Sequence, residues 1–279
     1  MWEGLEAQRI ALIPPCIDPR SPKNIDLAPD VVDEILRAAA LVRPNGAARP
    51  AFVRTPDIAV TISHHASIAD DLRIPPDVPL VVQISRWDGL KDPAGVMRAF
   101  VADHRLSDAH LVLAGPSPSS VADDPEAKRV LADLMHDRRR LGRADRGRVH
   151  LANLPTEDVV ENAVVVNALQ RRAGVVAQKS IAEGFGLTVT EAMWKERAVV
   201  AGRVGGIQDQ VDDTVNGRLV DPTDDVAFSD AVCDLLADEV TRRRIGEAAR
   251  RRVRERYLPL EYLGAYLDLI STVLESPPP

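Results

Sequence analysis

Between residues 79 and 222 short apolar runs alternate with segments of helix-forming composition. The runs fall at Leu80 to Ile84, His110 to Leu113, Val149 to Ala152, Gly174 to Ala177, Ala198 to Ala201 and Arg218 to Val220. Leu80-Val-Val-Gln-Ile84 is apolar and β-branched without clean alternation, the pattern of a strand buried on both faces. Strands that alternate with helices in this way predict an α/β fold, a parallel sheet with helices on both faces. Beyond residue 222 the pattern turns wholly helical, over Asp224 to Asp238, Val240 to Tyr257 and Leu260 to Leu274, with Pro277 to Pro279 as a frayed tail. Before residue 79 it predicts one helix, about Ala28 to Leu41, and a Pro-rich segment ending at Pro75-Pro-Asp77. The chain thus divides into 1–78, 79–222 and 223–279.

Two strand ends carry candidate chemistry. The first is Glu183-Gly-Phe-Gly-Leu-Thr-Val-Thr-Glu191, a glycine turn that follows an apolar run and opens into Thr190-Glu-Ala-Met-Trp-Lys195. A strand, a glycine turn and a helix leave free N–H groups at the helix start, which hold an anion such as a diphosphate. Helical side chains lean towards the N-terminus, so Glu191 points back to the ligand end, and Glu183 reaches the same place from the entering loop. A carboxylate only accepts hydrogen bonds and repels phosphate, so both acids face hydroxyls. Phosphate on backbone N–H groups and hydroxyls on two glutamates describe a sugar nucleotide.

The second is Arg86-Trp-Asp-Gly-Leu-Lys-Asp-Pro93, directly after the Leu80 strand. Asp92-Pro93 reads as the cap and first residue of a helix over Ala94 to Val101. Arg86 and Lys91 therefore lie at the carboxyl end of a strand, where open α/β sheets bind ligands. Arg offers a planar fork for phosphate oxygens and Lys a point charge. The alternative for each acid or cation is an ordinary solvated surface group. Gly115-Pro-Ser-Pro-Ser-Ser120 either lines a nucleotide cleft or is a plain loop, and Gly205-Gly206 is a candidate neighbour of the diphosphate. Trp87 and Trp194 are candidates to stack on a base or sugar, or core residues. His64-His65 has no third ligand at useful spacing and reads as a loop pair.

These pieces resemble the C-terminal half of a retaining GT-B glycosyltransferase, and among them the trehalose synthases, which join glucose from a nucleoside-diphosphoglucose to free glucose. The resemblance rests on Ile13-Pro-Pro-Cys-Ile-Asp-Pro19, Gln83 to Pro93, Leu113-Ala-Gly115, Asp123-Asp-Pro-Glu126, Val166-Asn-Ala-Leu-Gln170, Gln178-Lys-Ser180, Glu183 to Lys195, Gly205-Gly-Ile207 and Asn216-Gly217, in order over most of the chain. It implies a Rossmann-like donor domain with a helical C-terminal tail. In that family Arg86 and Lys91 would neutralise the departing diphosphate, Glu183 would bind hydroxyls of the transferred glucose, and Glu191 would hold the ribose. The N–H groups of Gly184, Phe185, Gly186 and Leu187 would meet the phosphates, Gly115 would border the donor, and no metal or other cofactor would be needed. The Pro-Pro-x-Ile-Asp-Pro stretch follows a whole acceptor-binding domain in the family but starts at residue 14 here, so the expectation is a donor-binding half, with a separate N-terminal half or a homodimer as partner. Asp213 stands where a glycine is more usual.

Composition narrows the picture further. Apolar content of 45%, charged content of 28% and a net charge of −7 fit a soluble protein and disfavour nucleic acid or an anionic membrane as partner. Cys16 and Cys233 are too few and too distant for a disulfide framework or zinc site. No signal peptide or membrane-length apolar run is visible, so cytoplasmic residence is the expectation. The functional expectation is glucosyl transfer from a sugar nucleotide to a small sugar acceptor. A trehalose phosphorylase-like enzyme and a non-catalytic sugar-nucleotide-binding module are the alternatives. A nicotinamide-binding Rossmann enzyme is disfavoured because no Gly-x-Gly-x-x-Gly follows the first strand.

Overall fold

A computed structural model describes residues 10–44, 51–54, 58–118 and 125–275. Among the described residues the first elements are helix α1 (Pro29–Ala38) and strands β1 (Ala51–Arg54), β2 (Ala59–Ile62) and β3 (Ser67–Ile68). Strand–helix units follow: β4 (Leu80–Ile84), α2 (Pro93–Ala102), β5 (His110–Pro116), α3 (Pro125–Arg140), α4 (Arg143–Arg148), β6 (Val149–Leu154) and α5 (Val159–Arg172). They continue as β7 (Val175–Gln178), α6 (Leu187–Trp194), β8 (Ala198–Gly202), α7 (Ile207–Gln210) and β9 (Arg218–Val220). Helices α8 (Asp225–Ala237), α9 (Glu239–Arg256) and α10 (Pro259–Glu275) close the chain. Asp123, Asp124, Ser119, Ser120 and the Pro277 to Pro279 tail lie outside the described residues.

The expected parallel sheet is present, in the order β3-β6-β5-β4-β7-β8-β9. Strands β4 to β9 pair parallel, while β3 pairs antiparallel with β6 and covers that edge. Both faces are buried, which explains the lack of polar alternation. Leu80, Val82 and Ile84 of β4 join one apolar cluster and Val81 joins the other. Val176 and Val175 of β7 divide in the same way, as do Val199 and Val200 of β8. Helices α1, α5 and α6 belong to the first cluster, α2, α3 and α8 to the second, and α9 contributes to both.

The Pro-rich segment holds more structure than its composition predicts. β1 and β2 form an antiparallel hairpin, with Ala51, Val53, Val60 and Ile62 facing the core beside α1 and α5. Each strand has four residues, and Pro50 and Pro56 flank the first, so the period-two signal is hidden by turn-forming neighbours. α10 buries none of its side chains, and Leu263, Leu267 and Ile270 stay more than half exposed.

Candidate functional site

The strand order reverses between β4 and β7, so the chain runs outward to β5 and β6 on one side and to β8 and β9 on the other. At such a switch point the loops leaving the two central strands diverge and open a crevice at their carboxyl ends. One wall carries Arg86 and Lys91, after β4. The other carries Glu183 to Gly186, after β7, and then α6 with Glu191. The residues singled out in the sequence thus come from two facing loops.

The β4 wall is fixed from below. Lys91 ends a 3-10 turn that Asp88 opens by accepting from Leu90 N at 2.8 Å. Asp92 adopts the left-handed conformation (φ 46°) and caps α2 by accepting from Gly95 N at 3.0 Å, with Pro93 supplying the first helical residue. A β-carbon on Gly95 would lie 2.0 Å from the Asp92 carboxylate, so this close cap requires glycine. Buried Lys179 places Nζ 2.6 Å from Asp92 and 3.0 Å from Asp225. Gln83 Nε2 donates to Lys91 O at 2.9 Å, and Ile181 N donates to Leu90 O at 2.8 Å, which ties the two walls together. Above this framework Arg86 is 72% exposed, its nearest acid being Asp88 at 3.5 Å, free to turn towards an anion. Lys91 forms an ion pair with Glu183 across the crevice.

The β7 wall is shaped by glycines. Gly186 (φ 89°) caps α6 without any side-chain acceptor, leaving the first N–H groups of the helix without a side-chain cap. Gly205 (φ 46°) passes so close behind Glu183 that a β-carbon there would sit 1.7 Å from the Glu183 carbonyl. Gly206 N donates to Gly184 O at 2.9 Å. Gln210 donates to Phe185 O and accepts from Thr190 Oγ1 at 2.7 Å. Gly205-Gly206 therefore acts as the back support of the Glu183 turn, and a β-carbon on Gly184 would meet nothing within 4 Å.

Arg86, Gly115 and Glu191 line a common cavity of about 280 Å³, together with Lys23 and Thr188. Glu191 is 6% exposed; its Oε1 lies 3.1 Å from Lys23 Nζ, and its Oε2 is buried without a partner. Beneath it, Lys195 Nζ donates to Glu191 O at 3.0 Å and to Asn24 Oδ1 at 3.1 Å. Burial lowers the Lys195 pKa to about 7. Trp194 Nε1 donates to Asn24 O at 3.0 Å, so the segment bearing Lys23 is pinned onto α6. A larger cleft of about 1020 Å³ lies beyond Gly184, Phe185 and Gly206, bordered by Tyr257 and Tyr262.

Several expectations are corrected or resolved. Trp87 is 2% exposed and donates to Pro116 O at 2.8 Å, so it supports the cavity from inside the core and does not stack on a ligand. The same packing explains Gly115, where a β-carbon would meet Ser85 O at 2.7 Å and Trp87 at 2.8 Å. Trp194 is likewise core, with the Arg250 guanidinium over its ring at 4.6 Å. His64 pairs with the carboxylate of Glu161 at 2.6 Å, which raises its pKa, and Glu161 Oε1 also accepts from Ser63 N and His64 N. Asp213 serves as an acceptor in its turn: its Oδ1 takes Leu219 N at 2.9 Å, and Arg203 and Arg218 lie at 3.5 and 3.7 Å. Among the described residues no group of three or more His, Cys, Asp or Glu side chains is placed to hold a metal ion. Among them, too, no helix is long and apolar enough to cross a membrane.

Sequence reasoning gave no role to Lys23, Lys179, Lys195 or Gln210, although Lys179 and Lys195 fall within motifs that carry the resemblance. All are lone polar residues whose importance lies in partners distant along the chain, such as Lys179 with Asp92. A lysine among apolar residues, as in Trp194-Lys195, was the available signal for the buried ones.

Residues 160–252 match the family described as glycosyl transferases group 1. A trehalose synthase from Rubrobacter xylanophilus is 33% identical over 272 residues, covering 97% of this chain and 54% of that protein. Sucrose-phosphate synthase from Thermosynechococcus elongatus superposes with a TM-score of 0.59 at 26% identity, over 74% of this chain and 49% of that one. A glycosyltransferase from Rickettsia africae shares the fold over 98% of this chain and 59% of its own, with a TM-score of 0.67 at 16% identity. The chain spans about half the length of the curated relatives it matches. On its sequence and its architecture, the chain carries a glycosyltransferase group 1 domain of the GT-B fold.

Proposed function

We propose that this chain is the donor-binding part of a retaining hexosyltransferase that moves glucose from a nucleoside-diphosphoglucose to an acceptor sugar, with glucose as acceptor and trehalose as product. The carrying observation is the division of labour at the switch-point crevice. One wall presents two cations, and the other presents a bare helix N-terminus between two carboxylates. That arrangement suits a molecule with a diphosphate in its middle and hydroxyl-bearing sugars at both ends.

In the reaction, the bond between the anomeric carbon and the leaving phosphate oxygen breaks, and the electron pair goes to the diphosphate. Arg86, Lys91 and the N–H groups of Gly184 to Leu187 stabilise that negative charge from fixed positions. Lys91 is held at Glu183, so the carboxylate that binds glucose hydroxyls also keeps the ammonium aimed at the neighbouring phosphate. The acceptor hydroxyl attacks from the face the leaving group vacates and passes its proton to the departing phosphate. No metal is invoked, because two cations and a helix terminus supply the electrostatic work. The glutamates are not a glycosidase pair, since they serve hydroxyls of different parts of the donor.

Calorimetric titration with ADP, UDP and GDP and their glucose conjugates tests this reading. Micromolar binding of one diphosphate without added metal, lost in Arg86→Ala, supports it and names the base. A folded chain that binds none of them refutes it. Turnover with glucose, against turnover with free phosphate, separates transfer from a phosphorylase-like reaction.

A further inference from the structure

Lys23 lies outside every motif described above, in the segment that leads into α1, yet its ammonium reaches the Glu191 pocket. We propose that Lys23 is a positioning residue of the donor site: it occupies Glu191 Oε1 and so presents Oε2 to the ribose diol. The inference rests on the donor-binding reading given above.

The two oxygens of Glu191 differ sharply. Oε1 lies 3.1 Å from Lys23 Nζ, while Oε2 is buried and unpartnered, on a residue that lines the cavity. A buried carboxylate oxygen without a donor is costly, and a hydroxyl of a bound ligand is the group that would satisfy it. An unpaired carboxylate would also repel the diphosphate held by the facing wall. Lys23 offsets that charge while leaving the acceptor lone pairs of Oε2 in place.

The lysine is itself held in position. Its neighbour Asn24 accepts from Lys195 Nζ through its side chain and from Trp194 Nε1 through its carbonyl. Asn24 Nδ2 in turn donates to Asp18 O at 3.0 Å and Ser21 Oγ at 3.2 Å, closing the local turn. The Lys23 side chain is 41% exposed, so shortening it leaves the core intact.

The test compares the preferred nucleoside diphosphate with its 2′,3′-dideoxy form, titrated into wild type, Lys23→Met and Lys23→Arg, with thermal unfolding as a check on folding. In wild type the loss of both hydroxyls weakens binding about 10–100-fold. In Lys23→Met the ribose form weakens about tenfold while the dideoxy form changes little, so the ratio collapses, and Lys23→Arg restores it. Equal weakening of both forms in Lys23→Met would reduce Lys23 to a bulk attraction for anions and overturn the assignment. Equal binding of the two forms by wild type overturns it as well, while leaving the donor reading standing. No binding of either form by folded wild type overturns the donor reading, and this assignment with it.

Discussion

The two glutamates of the crevice are held in opposite ways. Glu183 sits on a loop, and everything that fixes it comes from the sheet domain: Lys91 across the crevice, and Gly205, Gly206 and Gln210 behind. Glu191 sits on a helix, and its counter-cation comes from residues 18–24, well before the first strand of the parallel sheet. One half of the site is therefore built into the parallel sheet and its loops. The other depends on how an earlier segment packs onto α6. Damage to the support of the Glu183 turn should cost folding and binding together, whereas loss of the Glu191 carboxylate should show mainly in ligand affinity.

The largest expected effect lies on the Glu183 side. Gly205→Ala places a β-carbon against the Glu183 carbonyl at a residue with left-handed φ. Overpacking and backbone strain should together remove about 2–4 kcal/mol of stability, read by urea unfolding. A stability within error of wild type would show that the Glu183 loop is not braced by Gly205.

Arg86→Ala comes next. Arg86 is exposed, and among the described residues its ion pair is with Asp88 at 3.5 Å, so its loss should leave stability unchanged. Diphosphate affinity should fall by about 1.5–3 kcal/mol while affinity for the bare nucleoside stays the same. Equal losses for both ligands would contradict the phosphate role.

Glu191→Ala should weaken nucleoside and diphosphate alike, by about 1–3 kcal/mol, because both carry the ribose. The paired titrations of Arg86→Ala and Glu191→Ala thus separate the two walls. Unchanged affinity in Glu191→Ala would remove that residue from the ligand site.

The smallest effect, taken over a single pH unit, concerns Lys195. Folded Lys195 releases its proton near 7 because burial disfavours the ammonium, while in the unfolded chain it does so near 10.5. Between those values the unfolded chain holds the extra proton, so stability rises with pH across the window. The slope is at most about 1.4 kcal/mol per pH unit from this group. Lys195→Met should flatten that rise; an unaltered pH profile would mean that Lys195 stays protonated in the fold.

The same contrast decides what the sequence could reveal. Strands β4 to β9 were legible because each is an apolar run buried on both faces, and the glycine turn at Glu183 marked itself by composition. Glu183 and Glu191 were legible as chemistry because two acids flank a turn that otherwise suits anions. The hairpin of β1 and β2 was not legible, since four-residue strands beside prolines give little periodic signal. Trp87 stood in a ligand-binding loop, and only the fold shows its ring turned inward onto Gly115. Lys23 and Lys195 depend on contacts between segments some 170 residues apart, which no local pattern carries.

In the proposed complex the sugar nucleotide lies in the switch-point crevice, diphosphate towards Arg86 and the α6 N-terminus, ribose on Glu191. A crystal structure of the chain with a bound nucleoside-diphosphoglucose tests it most directly. The expected complex has ribose hydroxyls within hydrogen-bonding distance of Glu191 Oε2, and phosphate oxygens facing Arg86 and the N–H groups of Gly184 to Leu187. A nucleotide seated instead in the larger cleft between Phe185 and Tyr262, with Glu191 still unpartnered, would contradict it.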